Sequence, residues 1–117
     1  MHRLWRAAIN SWNGLRAVAR SEEAFRQEVF VFLLSIPLAF LLAAETWKRM
    51  ALILTIVFIM IVELLNTAIE KLGDRVSLEP DPRMGFIKDL GSAAVGLSLL
   101  FAGTTWIVAL IERLGWL

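Results

Sequence analysis

The chain has 117 residues with no cysteine, one histidine and a formal net charge of +1, and 58% of its residues are apolar. Soluble domains are roughly 45–50% apolar, so we expect lipid to surround a single small domain that covers the whole chain, residues 1–117. The composition excludes disulfide frameworks, thiolate metal sites and most imidazole chemistry, and the balanced charge argues against a nucleic-acid binder.

An amphipathic surface helix is predicted first, over about residues 3–20. Its apolar residues recur at helical spacing, and arginine and asparagine occupy the opposite side. Tryptophan on the apolar face and arginine on the polar face are typical of a helix that lies in the bilayer interface. A helix that packs on the protein's own core would show the same pattern, and the two interpretations are compatible.

Three long apolar segments follow, and each predicts a transmembrane helix. We place these helices over about residues 25–47, 49–72 and 89–112. The second reaches spanning length only if it continues through Glu63 to about Glu70. Turn-forming residues fill the segment 78–85 between the second and third spans, and small residues open the third span. Small residues let helix backbones approach closely, so the third helix is expected to pack against others.

Lysine and arginine are distributed unequally on the two sides of these spans. Five lie in the leading segment up to Arg26 and four lie from Lys71 to Lys88, against three on the other side, which are Lys48, Arg49 and Arg113. Such an excess marks the cytoplasmic side of a membrane protein. The N-terminus and the loop after the second span are therefore expected to face the cytoplasm, the compartment that contains ATP.

The second span carries a polar stripe that consists of Glu63, Asn66, Glu70 and Asp74. At about 100° per residue, the last three lie within about 60° of Glu63 around the helix axis. A charged residue at mid-bilayer costs on the order of 3 kcal/mol, so such residues usually face a cavity and mark function. The alternative is that Glu63 and Glu70 only hold the bundle together through ion pairs, but the other spans offer no cation at the depth of Glu63.

The stripe has the groups that a phosphoryl transfer needs. A carboxylate in a lipid-facing cavity is suited to take a proton from an apolar alcohol, and Glu70 and Asp74 are placed to hold Mg²⁺. The rise from Glu63 to Glu70 is about 10 Å, which leaves room for a hydroxyl, a phosphoryl group and a metal. Lys88 and Asp89 add a cation and an acceptor at the same level. Because the sequence has no glycine-rich phosphate loop, any nucleotide must be held by these groups.

Four segments of the chain resemble the prokaryotic diacylglycerol kinase family of small integral membrane enzymes. They are SWNGLRA, EEAFRQE, VELLNTAIEKLGDR and KDLGSAAV, at residues 11–17, 22–28, 62–75 and 88–95. The resemblance implies a homotrimer of three-span subunits with shared active sites in the bacterial inner membrane. It also implies that ATP, with Mg²⁺, phosphorylates diacylglycerol to phosphatidic acid at the cytoplasmic surface, a reaction of phospholipid metabolism.

The resemblance also implies roles for the matched residues. Glu63 is implied as the general base on the lipid hydroxyl, and Asn66 as a second catalytic residue. Glu22 and Glu70 are implied as metal ligands. The implied nucleotide-binding residues are Glu22, Glu70, Lys88, Asp89 and Asn10, and the implied lipid contacts are Arg3, Glu28, Glu63 and Ser92. Asn10 stands where some relatives carry an aromatic residue, and the segment 77–86 differs from better known members in the loop that approaches the adenine.

Two other functions remain open at this point. An undecaprenol kinase of the same superfamily would use the same groups with a polyprenol acceptor. A small proton or cation transporter subunit would use the stripe as an ion path. Transport favours polar residues through the outer half of the span, where residues 50–62 contain only Thr55.

Overall fold

The computed structural model describes residues 1–76 and 79–117, and every regular element in these ranges is a helix. The four helices in chain order are α1 (His2–Ser21), α2 (Glu23–Leu42), α3 (Thr46–Val76) and α4 (Pro82–Arg113). Helices α2, α3 and α4 are each long and apolar enough to cross a membrane. The prediction of an all-α chain with three transmembrane helices after an amphipathic helix is confirmed, and the chain is a multi-pass membrane protein.

Helix α3 lies at the centre of the bundle and packs against α2 on one side and α4 on the other. The side chain of Leu52 is fully buried and clusters with Ala39 and Ala43 near the end of α2. One turn further along α3, Ile56 and Ile59 pack against Ala102 of α4. Most other apolar side chains of the three long helices are exposed, as expected for helices whose solvent is lipid.

Small residues of α4 contribute to its contact with α3. Gly91, Ser98 and Ala102 are buried along one side of the helix, whereas Gly96 and Gly103 border open space. The buried three are separated by seven and four residues, which keeps them on one helical face. The predicted close packing of the third span is confirmed for this face.

The two largest differences from the predicted bounds are at the end of α2 and the start of α4. Helix α2 ends at Leu42 rather than near residue 47, and Trp47 belongs to α3. Helix α4 begins at Pro82, well before residue 89, because Asp81 caps it by accepting a hydrogen bond from the Arg83 backbone N–H at 2.9 Å. Proline in the first turn is also favourable, since it needs no backbone donor there. Leu78 of the predicted turn, and Ser77 before it, lie outside the described residues.

Replacing Asp81 with alanine is expected to lower the free energy of unfolding by about 1 kcal/mol, because the first turn of α4 loses its side-chain cap. Asp81→Asn is the matched control, since asparagine caps a helix about as well as aspartate. Unfolding of both variants in mixed micelles, followed by circular dichroism, measures the difference. Equal destabilisation by alanine and asparagine would show that the cap does not stabilise α4.

The charged groups at the α2–α3 turn complete the bundle at that end. Arg49 and Arg113 donate to the carbonyl oxygens of Ala43 and Leu41 at 2.8 and 3.3 Å, which satisfies acceptors at the end of α2. Lys48 contacts Glu112 at 2.8 Å and so links α3 to α4. These contacts hold the ends of α2, α3 and α4 together.

Candidate active site

Four glutamates meet where the first turns of α2 pack beside the second half of α3. We call Glu22, Glu28, Glu63 and Glu70 the carboxylate cluster. Glu63 is central to it, because it interacts electrostatically with each of the other three. Glu22, Glu28 and Glu63 are half-buried and Glu70 is exposed. The structure therefore brings together residues from two of the sequence segments that were predicted to form the site.

The carboxylate cluster has little compensating positive charge. Lys71 pairs with Glu22 at 3.2 Å, but its side chain is 66% exposed. Within residues 1–76 and 79–117, no ion pair involves Glu28, Glu63 or Glu70. The alternative in which ion pairs of Glu63 and Glu70 only hold the bundle together is thus not supported. Carboxylates that repel one another in a partly buried site favour binding of a proton or a cation.

Asn66 connects the cluster to α4. Its Nδ2 donates a hydrogen bond to Oε1 of Glu70 at 3.2 Å, and its side chain is buried between α3 and α4. Its Oδ1 is buried and has no hydrogen-bond partner among the described residues. The hydrogen bond restrains one oxygen of Glu70 and leaves the other available to a ligand.

The donor set of the cluster fits Mg²⁺. Among the described residues, no group of three or more histidine, cysteine or acidic side chains forms a metal site by itself. Magnesium is commonly bound by only one or two protein carboxylates, and substrate phosphates and water supply the remaining oxygens. Glu22 and Glu70, which both interact with Glu63, are suited to this arrangement.

Lys88 lies beyond the cluster, near the ends of α3 and α4. Its Nζ contacts Asp74 at 2.6 Å. An open cavity of about 550 Å³ lies beside this pair, and its lining includes Asp81 and Met84. Ligand pockets commonly have volumes of about 300–1,000 Å³, so the space is adequate for a small molecule. Residues of the segment 79–85 and Lys88 line this cavity together.

A second cavity, of about 560 Å³, separates α1 from α3. Gly14, Leu15 and Val18 line it from α1, and Leu64 and Ala68 line it from α3. Its wall is mostly apolar, and its polar lining residues include Lys71. The cavity therefore offers an apolar slot beside the polar stripe of α3.

Besides Asn66 and Lys88, four predicted site residues are not part of the carboxylate cluster. Asp89 and Ser92 are exposed on α4, and Arg3 and Asn10 are exposed on α1. In the part of the chain that the structure describes, no hydrogen bond or ion pair of these side chains reaches the cluster. Their predicted roles stay predictions.

Two residues at the site were not assigned a role from the sequence. The sequence shows Lys71 only as one of the basic residues on one side of the spans, yet in the structure it contacts Glu22. It shows Gly91 only as one of the small residues that open the third span, yet in the structure Gly91 lies against Asn66. A sequence shows that each residue is charged or small, but the partner depends on how the helices are rotated against each other.

Comparisons with known proteins find that the sequences similar to this chain belong to one family. The sequence profile described as prokaryotic diacylglycerol kinase matches residues 9–110. The diacylglycerol kinase of Escherichia coli strain K12 is 42% identical over 113 residues, which cover 97% of this chain and 93% of that protein. The diacylglycerol kinase of Pseudomonas aeruginosa is 41% identical over 111 residues, with 95% and 90% covered. That of Haemophilus influenzae is 36% identical over 96 residues, with 82% and 81% covered.

Proposed function

The chain belongs to the prokaryotic diacylglycerol kinase family, and from this premise we propose that it transfers the γ-phosphoryl group of ATP to diacylglycerol. The products are phosphatidic acid and ADP. The observation that supports this most strongly is the carboxylate cluster, in which Glu63 has no ion-pair partner among the described residues. Such a group can accept the proton of the lipid hydroxyl.

Glu63 acts as the general base in this proposal. It accepts the proton of the lipid hydroxyl while that oxygen forms a bond to the γ-phosphorus and the bond between the γ-phosphorus and the bridging oxygen of ADP breaks. The proton remains on Glu63 until it is lost to water. Most of the rate enhancement then comes from positioning and charge neutralisation, as in other phosphoryl transfers.

Glu22 and Glu70 would hold Mg²⁺ together with the phosphates of ATP. The metal supplies positive charge that neutralises the phosphate oxygens. Asn66 orients Glu70 through the hydrogen bond from Nδ2. Lys88 contacts a phosphate after it exchanges its exposed partner Asp74 for the nucleotide, and Asp89 and Asn10 bind further parts of the nucleotide.

Diacylglycerol reaches Glu63 through the apolar cavity between α1 and α3. The cavity suits an acyl chain, because its lining is mostly small and apolar side chains. Arg3, Glu28 and Ser92 contact the lipid near its glycerol end. This proposal places α1 at the membrane interface, where its exposed Trp5 and Trp12 favour the boundary between lipid and water.

We further propose a homotrimer with active sites shared between neighbouring subunits. Asp89 and Ser92 are exposed on α4 rather than directed at the cluster of their own chain, which supports a site completed by a second copy. The charge distribution supports an inner-membrane orientation in which the N-terminus and the carboxylate cluster face the cytoplasm.

The two alternatives have less support. Thr55, the polar residue of the segment 50–62, donates to the Leu52 carbonyl at 2.6 Å and accepts a hydrogen bond from Trp106 at 3.0 Å. It is occupied in helix packing, which disfavours a transport path. An undecaprenol kinase would need the same cluster, but the relatives described above carry the name diacylglycerol kinase.

The proposed function is tested by giving the purified protein labelled ATP and either diacylglycerol or undecaprenol in separate mixed micelles. We expect labelled phosphatidic acid from the first mixture and little product from the second. Preferential labelling of undecaprenol would assign the other acceptor. Absence of lipid labelling in both mixtures, from protein that is folded and binds ATP, would contradict a lipid kinase.

A further inference from the structure

Gly91 of α4 lies against the amide of Asn66 on α3. A Cβ atom at position 91 would overlap Oδ1 of Asn66 and would lie 3.3 Å from its Cγ. In glycine a hydrogen takes this place, and it can make the weak Cα–H···O contact that recurs between closely packed helices. Position 91 therefore requires glycine because a Cβ atom would not fit there, and not because of a special backbone conformation.

Asn66 has little freedom to move away from a larger residue at position 91. Its side chain is only 8% exposed. Its Nδ2 is held by Glu70, which accepts a hydrogen bond of 3.2 Å. An amide flip would place Oδ1 against the Glu70 carboxylate, where two acceptors repel each other. The present orientation, with Oδ1 at Gly91 and Nδ2 at Glu70, is thus the favourable one.

We propose that Gly91 is a positioning residue of the active site: it leaves the space that keeps the Asn66 amide on Glu70 and so holds the Glu70 carboxylate in place for the metal and nucleotide. This inference rests on the proposed function of the site and deepens it. Gly91 acts through Asn66, and itself touches neither substrate nor metal.

The other glycines of the long helices lack this constraint. A Cβ at Gly96 or Gly103 would meet no atom within 4 Å, and a Cβ at Gly73 would meet chiefly the flexible side chain of Met84. Gly96 lies on the same helix as Gly91 and gains the same helix propensity from alanine. Gly96→Ala is therefore the matched control for Gly91→Ala.

The first test compares these two variants in diacylglycerol phosphorylation as free Mg²⁺ is varied. We expect Gly91→Ala to lose about tenfold or more of kcat/KM and to need more Mg²⁺ for half-maximal rate, because displacement of a positioned group by even about 1 Å is costly. Gly96→Ala is expected to behave as the wild type. If Gly91→Ala and Gly96→Ala have the same kcat/KM and the same Mg²⁺ dependence, the proposal is wrong.

A double-mutant cycle tests whether Gly91 acts through Asn66. The serine side chain is shorter than that of asparagine, so serine at position 66 would not reach the space that the methyl group of alanine at position 91 would occupy. In the Asn66→Ser background, Gly91→Ala is expected to change kcat/KM by less than about twofold, since the two substitutions affect one interaction. If Gly91→Ala alone does not fold, the double variant is still compared with Asn66→Ser. A further loss of about tenfold or more in this background would show that Gly91 acts independently of Asn66, which overturns the proposal.

A binding measurement separates this inference from the proposed function. Mn²⁺, added with a non-hydrolysable ATP analogue, is titrated onto the protein and free Mn²⁺ is followed by electron paramagnetic resonance. Gly91→Ala is expected to bind Mn²⁺ more weakly than Gly96→Ala. Equal Mn²⁺ affinity of the two variants would contradict the inference even if the wild type is a kinase. A wild type that phosphorylates no lipid would contradict the proposed function, whatever the Mn²⁺ affinities.

Discussion

Replacing Glu63 with glutamine is expected to reduce diacylglycerol phosphorylation by about 100-fold or more, because the amide cannot accept the hydroxyl proton. Glutamine has nearly the same shape as glutamate, so packing of α3 is retained. Turnover is measured with labelled ATP and diacylglycerol in mixed micelles, and size-exclusion chromatography confirms the assembly. Binding of ATP is expected to remain, since Glu63 is assigned to the lipid hydroxyl.

The matched control for this substitution is Glu23→Gln. Glu23 lies in the first turn of α2 and is exposed, next to Glu22 but outside the carboxylate cluster. The substitution Glu23→Gln removes one negative charge from the same end of the bundle, and we expect activity near that of the wild type. Loss of activity in both variants would indicate a general charge effect. Retained turnover in Glu63→Gln would remove this residue from the role of general base.

Glu70→Gln is expected to raise the concentration of Mg²⁺ required for half-maximal rate by about tenfold or more, because a neutral amide is a poorer metal ligand than a carboxylate. The hydrogen bond from Asn66 can persist, since glutamine keeps one acceptor oxygen in the place of Oε1. Initial rates are measured against free Mg²⁺ at a fixed ATP concentration.

The control for Glu70→Gln is again Glu23→Gln, which removes a carboxylate that is not assigned to the metal. Its Mg²⁺ dependence is expected to match that of the wild type. An unchanged Mg²⁺ titration for Glu70→Gln, at whatever maximal rate, would count against Glu70 as a ligand.

The existence of the helices and the face of the polar stripe could be predicted from the sequence, because both follow from periodicity along one helix. Glu63, Asn66 and Glu70 are separated by three and four residues, which brings them to one side of α3 wherever the helix lies. The absence of a cation at the depth of Glu63 could be predicted in the same way, from the uncharged spans. The structure agrees with the first prediction, and among residues 1–76 and 79–117 no ion pair involves Glu63.

Contacts between helices could not be predicted in the same way. The ion pair of Lys71 with Glu22 and the contact of Gly91 with Asn66 depend on the rotation of α2 and α4 against α3. Many side chains determine that rotation together, and no local pattern in one sequence reveals it. The contact partner of a polar residue in a membrane helix bundle can therefore be identified only from the three-dimensional structure.

Helix ends were the other source of error. The end of α2 was placed too late because Ala43 and Ala44 continue the apolar run, and hydropathy does not distinguish a helical alanine from an extended one. The start of α4 was placed too late because Asp81 and Pro82 were interpreted as turn residues. The same two residue types also begin helices, as cap and first position, and in this chain they do.

The most direct measurement of the central claim is a single turnover with enzyme in excess over labelled ATP. Wild type and Glu63→Gln are loaded with Mg²⁺ and ATP and then mixed with diacylglycerol, so that the rate of phosphoryl transfer is separated from substrate binding and product release. We predict rapid formation of labelled phosphatidic acid by the wild type, and labelled ATP that stays bound and unreacted on the variant. Phosphatidic acid formed at the same rate by both proteins would contradict the account.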